Sequence, residues 1–239
     1  MIAKTQAIVF KSIKFRETSL IVTCFTEEFG IQSYLVRGAL GKRKSGLKGA
    51  HFQLLNQLDL VVKNNNKGHL NSINELKIST QYKYIPFDPI KQSVLLFLAE
   101  FLSESIREEV PHKELFNFIQ RGILLLDELN VCADFHLVFL LKLSKYLGFY
   151  PQISEISLPL FNMEDGCFVS TVHNRGNLNE MDSNLLKKLL KLDFEDLYEV
   201  QFNNSQRQVL LLILIKYYSL HLNGFRSPKS LEVLKTIFS

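Results

Sequence analysis

Hydrophobic and polar positions alternate along most of the first eighty residues, and short polar segments separate the alternating runs. A period of two, with many β-branched and aromatic residues, is typical of β-strands that bury one face. The segments between the runs are rich in residues that favour turns. The strands that this pattern predicts are residues 5–13, 18–26, 31–37, 53–62 and 69–78.

The number and spacing of these strands limit the fold of the N-terminal region. Five short antiparallel strands in about eighty residues have the size of an OB-type barrel, whose sheet closes on itself. A small SH3-like barrel has similar strand spacing, and the pattern alone does not separate the two. We predict an OB-type barrel for residues 1–80, with the SH3-like barrel as the alternative.

The hydrophobic period changes to that of α-helices after Pro86 and Pro89. Prolines between the apolar segments separate one predicted helix from the next. The last helix is expected to use Ser227 as its cap and Pro228 in its first turn. The other predicted helices cover residues 93–107, a segment from Pro111 to Leu126, and residues 132–147, 183–192 and 204–222.

Residues 152–181 follow neither period and predict an irregular insert within a mainly helical domain at 81–239. Inside this insert, residues 158–170 predict a short hairpin that turns at Glu164–Gly166. The expected fold class is therefore α+β, with a five-stranded OB-type barrel followed by a mainly α-helical domain. The longest apolar run, Val209–Ile215, is far shorter than the ~20 residues that a membrane span needs, so no membrane partner is expected.

Charge is distributed unevenly along the 239 residues, although the formal net charge is only +4. The first eighty residues hold twelve Lys and Arg against five Asp and Glu, whereas the remainder holds sixteen against nineteen. This asymmetry predicts a module that faces a polyanion, joined to a mildly acidic module. The alternative is that the lysines only keep a β-rich domain in solution.

Five of these cations lie in one segment, residues 37–49, which we call the basic Gly-rich loop. Its cations would release counterions from nucleic acid, and its four glycines would let main-chain amides approach phosphates. It is not a nucleotide P-loop, because Leu47 stands where that motif requires Lys. A loop that is merely solvated is the alternative. The predicted DNA-binding residues are Arg37, Lys42, Arg43, Lys44 and Lys48.

Aromatic residues in the predicted strands have two interpretations. They would serve as stacking platforms for bases if they lay on the barrel surface. Aromatic side chains in strands more often belong to a hydrophobic core. The residues in question are Phe10, Phe15, Phe25 and Tyr34.

The order of several short motifs resembles the RecO family of bacterial recombination mediators. Near the start, Glu17, Phe25–Thr26, Gly30, Gly38 and Lys44–Ser45 stand at the positions of the family's N-terminal motifs. The segment KYLGFYPQ and the ending YYSLHLNGFRSPKSLEVLKTIFS are also similar to family segments. The resemblance covers nearly the full chain, and it rests on order and spacing rather than on any single motif.

The resemblance implies an OB fold that binds single- and double-stranded DNA, followed by a helical domain. It implies a non-catalytic protein that anneals complementary strands and, with RecR, helps to load RecA onto DNA coated by single-strand-binding protein. It further implies a cytoplasmic, nucleoid-associated protein, which agrees with the small number of cysteines. The alternative function is a protein-interaction module whose basic barrel docks an acidic protein partner or RNA.

Neither a metal nor an organic cofactor is expected. Many members of the family carry a four-cysteine zinc site after the KYLGFYPQ position, but here residues 152–175 contain only Cys167. The histidines are dispersed, and no catalytic motif is present, so we predict that the chain is not an enzyme. A non-standard metal site would have to take its four ligands from Cys132, His136, Cys167 and His173.

Cations near the C-terminus suggest a second partner site. The tail of single-strand-binding proteins is acidic and ends in an aromatic residue, so it would need an apolar pocket with a cationic rim. Leu211, Tyr217 and Tyr218 would form the pocket. The alternative is that the cations only flank a core helix. The predicted rim consists of Arg207, Lys216, Arg226 and Lys229.

Overall fold

The computed structural model describes residues 2–41, 47–63, 71–130, 133–171, 176–198 and 202–237. The chain forms two compact units, Met1–Glu128 and Leu129–Ser239. The first unit extends beyond the barrel predicted for residues 1–80, because two helices that follow the barrel pack with it. The strands of this unit are β1 (Ile2–Phe15), β2 (Ser19–Thr26), β3 (Gly30–Val36), β4 (Gln57–Lys63) and β5 (Ser72–Ile78).

Strand β1 belongs to both halves of the sheet. Its first part, Ile2–Ile8, pairs with β4, and its second part, Ala7–Phe15, pairs with β2. The register with β2 shifts between Val9 and Lys11, where a bulge bends the strand. The bend lets one long strand serve two pairings, which explains why β1 is longer than the predicted strand at both ends.

The sheet closes through a parallel bridge between Tyr34 of β3 and Asn71, next to β5. The Leu35 N–H donates to the Asn71 carbonyl oxygen at 2.9 Å, and the Asn71 side chain donates to Gln32 Oε1 at 2.7 Å. The strands therefore follow one another around the barrel in the order β1–β2–β3–β5–β4. This parallel closure is that of an OB-type barrel, so the OB-type prediction is confirmed over the SH3-like alternative.

Alternate side chains of the strands fill the barrel interior. Phe52, from a 3₁₀ turn at Gly49–Phe52, is buried against them. Burial raises the pKa of the Cys24 thiol to about 12, so this cysteine stays protonated and unreactive at neutral pH. The interior includes Ala7, Val9, Val22, Cys24, Tyr34, Leu58, Leu60 and Val62.

Helices α1 (Pro89–Ser105) and α2 (Lys113–Glu128) complete the first unit. Helix α1 begins earlier than predicted because Asp88 caps it, accepting hydrogen bonds from the main chain of Ile90 and Lys91. Helix α2 contacts the barrel, since the Phe116 ring lies 5.8 Å from that of Phe25.

The segment between α1 and α2 lies directly on the turn between β2 and β3. The Ile31 N–H donates to the Glu108 carbonyl oxygen at 3.0 Å. Gly30 has a φ of 62°, and a Cβ at this position would stand 2.6 Å from the Val110 main chain. Only glycine combines this backbone conformation with so close an approach.

The described part of the second unit consists of helices and one β-hairpin. The hairpin predicted at 158–170 is confirmed, with its turn held by Asn162 Oδ1, which accepts from the N–H groups of Glu164 and Asp165. None of the described helices has the length and apolar character of a membrane span. The elements are α3 (Phe135–Tyr146), β6 (Leu160–Asn162), β7 (Cys167–Val169), α4 (Glu180–Leu190), α5 (Asn204–His221) and α6 (Leu231–Ile237).

The start of the last helix differs from the prediction. Helix α6 begins at Leu231, and Ser230 supplies the carbonyl oxygen that accepts from the Leu234 N–H. Ser227 and Pro228 precede this helix, so the predicted cap at Ser227 is wrong. Pro228 instead accepts a turn-type hydrogen bond from the Leu231 N–H, and a Ser–Pro pair suits a turn as well as a helix start.

We expect Gly30→Ala to destabilise the first unit by about 3 kcal/mol, because the new Cβ meets main-chain atoms that cannot move independently. Gly38→Ala is the matched control, since Gly38 also has a positive φ but has open space around it. That control should cost about 1 kcal/mol, the conformational term alone. Urea unfolding of both variants measures the difference, and equal costs would contradict the close approach at Gly30.

Candidate nucleic-acid interface

The turn between β1 and β2 lies beside the end of β3, and together they form a groove of about 720 Å³. Two arginines line this groove: Arg16 from the turn and Arg37 from the first position after β3. Both are exposed. The other lining residues are Phe15, Glu17, Thr18, Ser19, Leu35 and Gly38.

Arg16 has an unusual backbone conformation and an aromatic neighbour. Its φ is 57°, in the left-handed region that costs a residue with a Cβ about 1 kcal/mol. Its guanidinium carbon lies 5.2 Å from the centre of the Phe15 ring, the geometry of a cation–π contact. A planar cation next to an aromatic face offers a phosphate contact and a stacking surface within one turn.

The two ends of the basic Gly-rich loop are joined at its base. The Leu40 N–H donates to the Thr18 carbonyl oxygen at 2.9 Å, which fixes the start of the loop to the β1–β2 turn. The Gly49 N–H donates to the Ala39 carbonyl oxygen at 2.9 Å, so the chain returns to where it left the barrel. The loop is thus anchored beside the groove.

The predicted DNA-binding residues divide into two groups. Arg37 and Lys48 are exposed at the base of the loop, on either side of the Ala39–Gly49 hydrogen bond. Lys42, Arg43 and Lys44 lie outside the described residues. Arg16 was not among the predicted residues, because its only signal in the sequence is a charge in a polar turn.

Three of the four candidate stacking residues belong to the interior. Phe10, Phe25 and Tyr34 are buried, and the rings of Phe10 and Phe25 pack 5.7 Å apart. Their stacking role is therefore excluded, and the core interpretation is correct for them. Phe15 is half-buried and lines the groove, so it remains a candidate.

Arg207 is a structural residue of the second unit rather than part of an exposed rim. Its side chain is only 8% exposed and forms an ion pair with Asp134, with Nε 2.7 Å from Oδ1. The same guanidinium donates to the Phe202 carbonyl oxygen, and the Phe202 N–H donates to Asp134 Oδ2. The buried charges are paired and hydrogen-bonded, as burial requires.

The apolar part of the predicted tail pocket is also interior. Leu211, Tyr217 and Tyr218 are buried, and the Tyr218 hydroxyl donates to the Leu140 carbonyl oxygen at 2.7 Å. These side chains are not available as a pocket floor. Of the predicted rim, Lys216, Arg226 and Lys229 are exposed.

The residues considered for a metal do not form a site in the described part of the chain. His136 is fully buried within α3, and Cys167 lies on β7. Cys132 and His173 lie outside the described residues. No group of three or more His, Cys, Asp and Glu among the described residues is arranged to hold an ion. The described ligands thus do not fit the zinc that the resemblance implies for other members.

The chain combines a closed OB-type barrel, an arginine-lined groove and a helical region. These features define a class of OB-fold proteins with a cationic surface. Residues 1–82 match the family described as Recombination protein O N terminal, and residues 86–232 match Recombination protein O C terminal. The chain belongs to the RecO family. Its role accordingly lies in DNA repair and recombination.

Relatives of full length support this membership. The chain is 46% identical over 236 residues to the DNA repair protein RecO of Flavobacterium johnsoniae, covering 99% of both chains. It is 38% identical over 238 residues to the protein of that name from Christiangramia forsetii, with 100% of both chains covered. The protein of that name from Bacteroides fragilis is 36% identical over 243 residues, again with 100% coverage.

We expect the stability of the second unit to fall as the pH decreases below about 6.5. Burial, and then the charge of Arg207, lowers the pKa of His136 from 6.5 to about 3. Between these values the unfolded chain binds a proton that the folded chain does not, so acid favours unfolding. Urea unfolding at pH 7, 6 and 5 measures the slope.

The variant His136→Leu should show a shallower pH slope than the parent chain, because its residue does not titrate. An unchanged slope in His136→Leu would contradict the assignment of the pH dependence to His136.

Proposed function

We propose that the chain is a non-catalytic mediator that binds single- and double-stranded DNA through the groove beside the basic Gly-rich loop. In this proposal it anneals complementary strands and, with RecR, assists the loading of RecA onto DNA coated by single-strand-binding protein. Its place of action would be the cytoplasm, at the nucleoid. The observation that carries the DNA-binding part is the convergence of Arg16 and Arg37 on one exposed groove of an OB-type barrel.

The position of the groove supports this proposal. OB folds bind oligonucleotides with the face of strands 2 and 3 and with the loops after strands 1 and 4. Here the loop after β1 forms one wall of the groove, and the end of β3 forms the other. Arg16 and Arg37 would contact phosphates, and Phe15 would offer its ring to a base.

The electrostatics of the barrel also favour nucleic acid on this side. The opposite region, where β1, β4 and β5 meet the β2–β3 turn, forms a groove of about 520 Å³ with four carboxylates and two lysines. Nucleic acid would avoid this acidic groove and favour the arginine-lined one. The acidic groove is lined by Lys4, Glu27, Glu28, Asp59, Glu75 and Lys77 together with neutral residues.

The tail of single-strand-binding protein remains a proposed partner of the second unit. Lys216, Arg226 and Lys229 are the exposed cations available to its acidic residues. Because the tyrosines next to Lys216 are buried, the apolar end of the tail would need a different surface. Replacing these three cations with Ala should weaken binding of a tail peptide without changing binding of naked DNA.

We expect the double variant Arg16→Ala/Arg37→Ala to bind single-stranded DNA more weakly and with a smaller dependence on salt. Each phosphate contact that is lost should reduce the slope of log K against log salt by about 0.7. Fluorescence anisotropy with a labelled oligonucleotide at several salt concentrations measures both quantities.

The matched control is Lys4→Ala/Lys77→Ala, which removes the same charge from the same barrel at the acidic groove. Its salt slope should equal that of the parent chain. If the two double variants behave alike, only net charge matters and the groove is not the binding site. RNA of the same sequence, tested in parallel, separates a DNA-binding function from an RNA-binding one.

The annealing role has its own test. Complementary strands coated by single-strand-binding protein and labelled as a fluorescence pair should anneal faster with the chain than without it. Arg16→Ala/Arg37→Ala should lose most of this acceleration, because the variant holds neither strand well. Full acceleration by that variant would separate annealing from the groove.

A further inference from the structure

The outer face of β1, β2 and β3 carries a row of three apolar side chains. Ile13 lies opposite Ile21, and Ile21 lies opposite Leu35, so the row crosses all three strands. The side chains of the next pair along β2 and β3, Val22 and Tyr34, are buried in the barrel interior. Since successive side chains of a strand point to opposite faces, the row lies on the outside. We call Ile13, Ile21 and Leu35 the apolar row.

The apolar row is open to solvent, whereas helix α2 covers the same face further along β2. Ile13 is 47% exposed, and Ile21 and Leu35 are half-buried. Phe25 of β2 is buried, and its ring lies 5.8 Å from that of Phe116 in α2. The open part of this face therefore lies between Phe25 and the turn that joins β1 to β2.

The apolar row is continuous with the arginine-lined groove. Leu35 lines that groove together with Phe15, which follows Ile13 on the same face of β1. The guanidinium of Arg16 lies beside the Phe15 ring, and Arg37 is the first residue after β3. An extended ligand bound in the groove would therefore reach the row without leaving this face of the barrel.

A cation and two hydroxyl groups border the row on the side away from the groove. Lys11 lies opposite Thr23, and Thr23 lies opposite Ser33, with the two hydroxyl oxygens 3.1 Å apart. The Lys11 side chain is exposed. From Phe15 to Lys11 the strand covers about 13 Å, which is the length of a few nucleotides. Cations thus lie at both ends of the apolar row.

The charges around the row favour a polyanion. Arg16 and Arg37 lie at one end, and Lys11 lies at the other. Glu17 is the single carboxylate in the described lining of the groove, and Lys14 is exposed on the opposite side of β1. Cations on both sides of an apolar strip suit a ligand that alternates anionic groups with flat apolar groups. A single nucleic-acid strand has this chemistry.

We propose that the apolar row contacts unpaired bases and so makes the barrel selective for single strands. This inference rests on the proposed function, since it places the bases of a strand whose phosphates meet Arg16 and Arg37. A duplex keeps its bases stacked inside and presents its phosphates, so it reaches only the cations. An unpaired strand can turn its bases onto the row while its phosphates stay at the cations. Single- and double-stranded DNA would then share the arginines but not the row.

The double variant Ile13→Thr/Ile21→Thr tests the role of the row. Threonine keeps the β-branched shape that suits a strand and removes apolar surface. The affinity for a single-stranded oligonucleotide should fall about tenfold, because its bases bury less apolar area. The salt slope, and the affinity for a duplex of the same length, should equal those of the parent, because no phosphate contact is lost. Fluorescence anisotropy measures all three quantities.

The matched control is Ile2→Thr/Val61→Thr, which makes the same kind of change on the other half of the barrel. Ile2 is an exposed residue of β1, and Val61 of β4 lines the acidic groove. This variant should bind both forms of DNA like the parent, and urea unfolding checks that each variant is folded. Unchanged affinity of Ile13→Thr/Ile21→Thr for single strands, or equal weakening for single strands and duplex, overturns the proposal.

An oligonucleotide with abasic sites tests whether the bases are what the row contacts. It keeps every phosphate but lacks the flat apolar groups. The parent chain should bind it about tenfold more weakly than the complete oligonucleotide. In Ile13→Thr/Ile21→Thr this difference should be clearly smaller, because part of the surface that recognises bases is gone. A difference of the same size in the variant and in the parent would mean that the row does not contact bases.

An acidic peptide that ends in an aromatic residue is another ligand whose charge matches this face. Such a peptide is measured against the same variants as the oligonucleotide. If Ile13→Thr/Ile21→Thr weakens binding of the peptide and leaves the affinity for single strands unchanged, the row belongs to a protein partner and the proposal is overturned. Weakened binding of the single strand alone supports the proposal.

The variants of the groove separate failure of this inference from failure of the proposed function. Weaker DNA binding by Arg16→Ala/Arg37→Ala, together with unchanged binding by Ile13→Thr/Ile21→Thr, would uphold the groove and overturn the role of the row. A parent chain that shows no salt-dependent binding of DNA would overturn both, because the row is proposed to act on a strand that the groove holds.

Discussion

The double pairing of β1 is the constraint on which the closed barrel depends. One strand pairs with β4 at its start and with β2 at its end, and the bulge at Val9–Lys11 turns it from one half of the sheet to the other. Without this bend the sheet would remain open, and β3 would not reach the parallel bridge to Asn71. The antiparallel pairing of β2 with β3, in which Leu20 lies opposite Val36, places the β1–β2 turn with Arg16 beside the end of β3. The arginine-lined groove therefore follows from the pairing of the consecutive strands β1, β2 and β3.

Much of the fold was accessible from the sequence because its elements follow simple periods. A period of two over five short segments and a helical period after Pro86 are local signals, and tertiary packing did not override them. The groove was only half accessible, because Arg37 belongs to a conspicuous loop whereas Arg16 is a single charge in a polar turn. Arg207 illustrates the opposite error, because the sequence suggested an exposed rim residue and the side chain is buried. Its partner Asp134 lies far away in the chain, so nothing near Arg207 in the sequence indicates burial.

Buried charged residues hold main-chain segments in both units, whereas the arginines of the groove are exposed. In the second unit, Asp134 and Arg207 are fully buried together and satisfy the main chain at Phe202. In the first unit, burial would raise the pKa of Asp127, but hydrogen bonds from three main-chain N–H groups and the charge of Lys91 lower it overall. Each carboxylate accepts hydrogen bonds from main-chain N–H groups of a segment that is distant in sequence. The exposed arginines of the groove have no such anchoring partner in the contacts described above, so they remain free to meet a polyanion.

The hairpin of the second unit is held by side-chain hydrogen bonds and by aromatic packing. Asn162 closes the turn through its side chain, and the Ser183 hydroxyl accepts from the Phe161 N–H at 2.9 Å. Phe161 and Phe168 then pack with Tyr217 of α5, whose hydroxyl donates to the Phe149 carbonyl oxygen. A zinc site would fix a hairpin through a few strong bonds that depend on metal and pH. Aromatic packing and main-chain capping fix the described part of the insert through many weak contacts.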